Sequence, residues 1–297
     1  MARRHAAERP TAPDYAADAL EQSDMVVLPR CPFPLPPAGQ LEFLRRQPTA
    51  GLGHKDVSYD PVAGKLAGQR TTHPSEGRRL ADVLAEFSAA ATAWLKAAYP
   101  EYARGLAPDR ATLRTEEEAT RALRLTARND LLHIDNFPTR PTGGRRILRL
   151  YVNINGSDPQ VWATSERFPQ LLARFAARHR VPARSRREWT TPSPSVIRLL
   201  SRRRGTGSAY DAWMMRLHHF LKEDEGFQAQ AARKMWTFAP RTMWLLFSDV
   251  VSHALLRGRF ALDHSFFIPQ DCLIRPADSP LAVLERLGAE APNRRAG

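Results

Sequence analysis

Residues 145–155, RRILRLYVNIN, constrain the fold most, because they read as a strand whose two faces differ. Successive side chains of a strand point to opposite sides, so Leu148, Leu150, Val152 and Ile154 share one face. Ile147, Arg149, Tyr151, Asn153 and Asn155 share the other. The first is an ordinary core face. The second is too polar for a plain core and too patterned to be an accident. The segment ends in the turn-forming NGSDP, which bounds the strand.

Just upstream, LLHIDNF (131–137) places His133 and Asp135 two residues apart in an apolar run, so an extended chain would project them together. A neutral imidazole beside a carboxylate pairs with it, or both bind one cation. A third ligand is available in LLFSDVVSHALL, where His253 stands alone in an apolar strand. His133, Asp135 and His253 then form a two-His-one-carboxylate face, the ligand set of non-haem Fe(II) oxygenases, which leaves coordination positions open for chemistry. Zinc hydrolysis and a His–Asp acid/base pair draw on the same residue types and stay open on spacing alone. An oxygenase using 2-oxoglutarate also needs a cation for the far carboxylate of that cosubstrate, and the planar fork of arginine suits it. Arg149, on the polar face of the 145–155 strand, is the first candidate, with Arg128, Arg259 and Asn153 completing the cofactor-binding set. In many jelly-roll oxygenases this arginine follows the distal histidine by about ten residues. Here that region reads ALDHSFF and holds none.

SEGRRLADVLAEFSAAATAWLKAAY reads as an amphipathic helix capped at Ser75, with Leu80, Val83, Leu84, Phe87, Ala91 and Leu95 at helical spacing. Two further amphipathic segments lie between about 164 and 235, joined by a basic loop, and strand-like pieces return with MWTFA, TMWLLFSDVVSHALL and GRFALDHSFFIP. The pattern predicts an α+β protein built on an antiparallel sheet sandwich or barrel, with N-terminal helices and a helical insertion at about 164–235. Residues 1–24 and 289–297 are expected to be disordered, and 25–288 to form one domain. The adjacent His218 and His219 point about 100° apart on a helix and cannot share one ion, so they read as structural or surface residues. Trp213, Trp236 and Trp244 read as core or pocket walls.

Charge limits the partners. With 44 Lys and Arg against 31 Asp and Glu, the net charge of +13 favours anionic surfaces, either nucleic acid or a membrane face bearing phosphates and carboxylates. No helix-turn-helix, zinc-finger or RNP-like pattern supports nucleic acid. Two cysteines without CxxC spacing, no apolar leader and no long apolar run predict a cytoplasmic protein, peripheral at most on the inner membrane.

ARNDLLHIDNFPTRPTGGRRILRLYVNIN, together with WLLFSDVVSHALLRGRFALDHSFFIP, resembles the Kdo hydroxylases, bacterial Fe(II)/2-oxoglutarate dioxygenases that act on the Kdo sugar of lipopolysaccharide. The pieces SYDP and KLAG, starting at Ser58 and Lys65, look like that family's N-terminal region, and the run HxDxFPxRP followed by RILRxxxNIN is long and specific. The resemblance implies a double-stranded β-helix (jelly-roll, cupin-like) core, Fe(II), 2-oxoglutarate and O2 as requirements, and hydroxylation at C3 of Kdo in a Kdo-bearing lipid A or lipopolysaccharide precursor. It places His133, Asp135 and His253 at the family's metal positions. LDHSFF stands where LEQTFY is expected, a local departure near the cosubstrate contacts. The alternatives are the same chemistry on another anionic substrate, or a basic non-enzymatic module binding membrane or nucleic acid.

Overall fold

The structure is a computed structural model that describes residues 17–47, 56–68, 73–118, 121, 123–179, 181–192 and 207–290. The N-terminal part contains α1 (Ala17–Gln22), β1 (Val26–Leu28), α2 (Ala38–Arg45), β2 (Val57–Asp60), β3 (Lys65–Ala67), α3 (Pro74–Ala98), α4 (Pro100–Ala103) and β4 (Ala107–Arg114). Then come β5 (Arg146–Asn153), β6 (Gln160–Arg167), α5 (Phe168–Ala176), α6 (Arg186–Thr190), α7 (Ala209–Glu223) and α8 (Glu225–Gln230). The chain closes with β7 (Lys234–Phe238), β8 (Met243–Phe247), β9 (Val251–Arg257), β10 (Ala261–Ile268) and α9 (Pro280–Glu290).

The strands pair antiparallel into a larger sheet, ordered β1-β8-β5-β10-β4-β2-β3, and a smaller one, ordered β7-β6-β9. This is the mixed helix-and-strand architecture that the patterning predicts, with the jelly-roll core that the resemblance implies. The two faces of β5 go where their chemistry sends them. Leu148, Leu150, Val152 and Ile154 join the core that α3 covers with Leu80, Val83, Leu84, Phe87, Ala91 and Leu95. Each such leucine, taken out of water, contributes roughly 1.5–3 kcal/mol. Tyr151 points the other way, between the sheets, where its ring stacks on Trp244 (5.4 Å) and meets Trp162 of the smaller sheet edge-on (4.7 Å). Phe238 extends the stack at 4.0 Å from Trp244. Trp213 is buried in the helix-side core and Trp236 half-buried at the edge of the inter-sheet cluster.

Several expectations shift. The helix over 74–98 begins at Pro74 with His73 as N-cap, because proline's fixed φ suits the first helical position. TMWLLFSDVVSHALL is two strands in different sheets: β8 pairs with β5, β9 with β6, and the polar Ser248–Asp249 corner carries the chain across. An all-apolar run carries no periodicity to reveal that crossing. LLHIDNF is extended but forms no strand, touching the sheets through one bridge, His133 to His253. Order begins before residue 25, since Ala17 and Leu20 of α1 enter the core and Glu21 accepts from Tyr102, Ile274 and Arg275. The helices of the insertion run from 168 to 230, because both of its ends are the strands β6 and β7. Most of the basic RRRGTGS segment and the C-terminal tail from 291 lie outside the described residues.

Candidate metal centre

Backbone bonds, before any side chain, bring the candidate ligands together. His133 N donates to His253 O (3.1 Å) and His253 N donates back to His133 O (2.9 Å), which ties the irregular run to β9. Asp135 N donates to Ser248 O (2.7 Å) at the β8–β9 corner. One potential ligand atom from each of His133, Asp135 and His253 then lies within 4.8 Å of the others. His133 Nε2 and Asp135 Oδ1 are 3.7 Å apart. All three residues are buried, at 3%, 7% and 3% exposure.

Tautomers and charges follow from the surroundings. His133 Nδ1 faces Leu131 O at 2.7 Å and His253 Nδ1 faces Val251 O at 3.0 Å. A ring nitrogen facing a carbonyl carries the proton, so each Nε2 keeps its lone pair for the shared centre. Burial pushes both imidazoles below their ordinary pKa and keeps them neutral. Burial alone would raise Asp135, but the Arg149 guanidinium beside it outweighs that and holds the carboxyl well below the usual carboxylate range. Two neutral nitrogens and one anionic oxygen fit a divalent cation of the first transition row.

Arg149 projects from β5 between two carboxylates: Nη1 donates to Asp135 Oδ2 (2.9 Å) and Nη2 to Asp263 Oδ1 (2.7 Å). It therefore occupies the outer oxygen of Asp135 and leaves Oδ1 on the side of the histidines. Asp263, fully buried on β10, also accepts from Arg114 Nε of β4 (2.6 Å). Arg114, Asn129, Arg149, Tyr151, Trp162 and Leu255 line a small pocket with the three candidate ligands. Two buried donors on that lining, Arg149 Nε and Trp162 Nε1, have no hydrogen-bond partner among the described residues.

The other residues expected to bind cosubstrate are elsewhere. Arg128 pairs with Asp130, its side chain 41% exposed. Arg259 Nε donates to Thr115 O, outside the pocket. Asn153 is spent on structure, its Nδ2 donating to Asp158 O and Phe238 O to tie the β5–β6 turn to β7. The pocket residues missed in sequence are Arg114, Asn129 and Trp162. Asn129 lies in the motif run, whereas nothing in ATLRTEEE marks Arg114. His218 proves structural: its ring meets that of His133 edge-on at 5.3 Å and its Nδ1 faces Ile134 O at 2.6 Å, so it backs a ligand. Lys222, one turn on, is pushed down to about 8 by burial and donates to Thr126 O.

A family model for 3-deoxy-D-manno-oct-2-ulosonic acid (Kdo) hydroxylase matches residues 3–291. Among solved structures, the Kdo hydroxylase KdoO, a non-haem Fe(II) α-ketoglutarate-dependent dioxygenase, in complex with cobalt(II) aligns with a TM-score of 0.79 at 30% identity, over 93% of this chain and 89% of that one. Its complex with α-ketoglutarate and Fe(III) aligns at 0.78 and 30%, over 93% and 88%. Its complex with succinate and Fe(III) gives the same values. No curated protein sequence matches the chain.

Proposed function

Because the chain belongs to the Kdo hydroxylase family, we propose that it is an Fe(II)/2-oxoglutarate-dependent dioxygenase that hydroxylates the Kdo sugar at C3 in a lipid A precursor. The observation that carries this is the convergence of two tautomer-fixed Nε2 atoms and one carboxylate oxygen on a pocket whose buried donors lack partners. His133, Asp135 and His253 would hold the metal. Iron with 2-oxoglutarate and O2 supplies, when bound, the oxidising power for replacing C–H by C–OH.

The rest is the work of this chain. Arg149 fixes the Asp135 carboxylate through its outer oxygen, so that the inner one presents a single donor. Arg114 and Arg149 flank Asp263, and together they meet the far carboxylate of the cosubstrate, with Arg149 Nε and Trp162 Nε1 as donors left for it. Two arginines, Arg114 and Arg149, stand against Asp135 and Asp263 at the pocket. Tyr151, Trp162 and Leu255 give the pocket apolar walls that keep water from the reacting centre. The +13 charge draws the protein to the phosphates and carboxylates of a lipid-borne acceptor, at the cytoplasmic face of the inner membrane. No helix among the described residues is long and apolar enough to cross a membrane.

Loading the protein with Fe(II) under anaerobic conditions, then adding 2-oxoglutarate, O2 and a Kdo-bearing lipid A precursor, tests the reading by mass spectrometry. One added oxygen atom and succinate are expected, both lost in Asp135→Ala. Succinate without lipid oxidation would move the chemistry to another acceptor. Neither product from metal-loaded protein would leave a basic binding module.

A further inference from the structure

A second concavity, of about 320 Å³, opens at the end of the barrel where β4, β5 and β9 finish and β6 and β10 begin. Its walls include Glu117 beyond β4, Asn155 and Asp158 in the β5–β6 turn, and Arg257 and Arg259 in the β9–β10 turn. The metal pocket approaches the same end. Arg114, Tyr151, Trp162 and Leu255 line that pocket, and each stands two to four residues along the chain from a wall residue of the recess. At about 3.3 Å per residue, that backbone separation is roughly 7–13 Å, much of which the length of an arginine side chain bridges.

The β9–β10 turn is built at some cost. Gly258 has φ +134°, and a Cβ there would come within 2.5 Å of Gln160 Oε1. Its N–H donates to Glu117 Oε1 at 2.8 Å. Phe260 takes φ +60°, a left-handed conformation that a bulky side chain rarely adopts. Ile154 N donates to Phe260 O at 3.0 Å and holds it there. The turn presents two cations. Arg259 is pre-oriented by its Nε bond to Thr115 O (3.1 Å) and by the Phe260 ring, 4.7 Å beneath its guanidinium. Arg257 is exposed and makes no ion pair among the described residues.

We propose that this recess is the subsite for the acceptor sugar, with Arg257 and Arg259 receiving a sugar carboxylate and Asn155 and Asp158 receiving its hydroxyls. The mixed lining selects that class of ligand. A bare phosphate is an anion and would face the carboxylates of Glu117 and Asp158, whereas a polyhydroxylated acid places its charge on the arginines and its hydroxyls on the other groups. The proposal rests on the function above and places its acceptor on one side of the metal pocket.

The test uses Arg257→Ala and Asp158→Ala, both at exposed positions, beside the wild type. Saturation-transfer NMR of metal-free protein with free Kdo, and separately with inorganic phosphate, reads binding without turnover. KM for the Kdo-bearing lipid and affinity for 2-oxoglutarate are measured in parallel. The subsite predicts a KM for the lipid at least about tenfold higher in Arg257→Ala, weakened Kdo contact in both variants, partial rescue by Arg257→Lys, and unchanged 2-oxoglutarate affinity. An unchanged KM and undiminished Kdo contact in both variants would overturn it, as would phosphate competing on equal terms. Wild-type turnover separates the two readings: its absence removes the Kdo hydroxylase function, while its presence with indifferent variants removes only the subsite.

Discussion

At the proposed metal centre, single residues would set the affinity. Asp135→Asn keeps the shape of the side chain but removes the charge that Arg149 and the cation share, so Fe(II) or Co(II) titration should show affinity reduced by roughly 100-fold or more. Arg149→Met does a different kind of damage. It strips Asp135 of its guanidinium and leaves Asp263, fully buried, with Arg114 alone. Breaking a buried pair from one side costs about 3–5 kcal/mol, which denaturant unfolding of the metal-free protein would read as a lowered midpoint. Acid acts on other groups. Burial pushes His218 and His264 down to about 4, so the fold refuses protons that the unfolded chain takes up near 6.5. Stability is then full above pH 6.5 and falls as the pH drops toward 4, each histidine contributing at most about 1.4 kcal/mol per pH unit. Urea midpoints at pH 7 and pH 5 check the direction. An equal midpoint at both would show that these rings are protonated in the fold.

Among the elements, α7 does most to steady the candidate site. Its N-cap pair is reciprocal, Ser208 Oγ accepting from Asp211 N while Asp211 Oδ2 accepts from Ser208. The other carboxylate oxygen accepts from Thr142 N (2.7 Å) and Gly143 N (3.2 Å), and Asn136 Nδ2 donates to Asp211 O. One aspartate thus fastens the helical insertion to both ends of the segment that follows the ligands. Asp211→Ala removes a cap and strands buried N–H groups, a loss of about 3 kcal/mol. It should appear as a lower Tm and as faster amide exchange in 136–144. The elements divide sharply in how far sequence reveals them. β5 and α3 were readable because each has one apolar face at a clean period. The β8–β9 crossing was not, since every residue around Ser248–Asp249 is buried on both strands and apolar runs look alike. The three candidate ligand residues stood out by type and context, and the structure brings them together. Arg114 was not, because its role comes from β4 lying beside β10, a long-range pairing no local pattern encodes.

At the scale of the whole molecule, charge and sheet geometry act together. A +13 chain should bind vesicles containing anionic lipid and release them as salt rises, since surface attractions fade beyond a Debye length of about 8 Å at physiological ionic strength. Co-sedimentation at 50 and 500 mM salt measures this, and salt-independent binding would point to apolar insertion instead. The jelly roll itself brings residues from far apart in the chain to one point, and the paired main-chain bonds between His133 and His253 tie that meeting through the backbone. The metal is thus a guest in a finished room and not a rivet in the frame. Chelation should lower Tm only by the amount that ligand binding adds, leaving a folded protein ready to be refilled. In a cell where iron comes and goes, such a protein could wait empty without being lost to proteolysis, and its activity would follow the supply of iron without new synthesis.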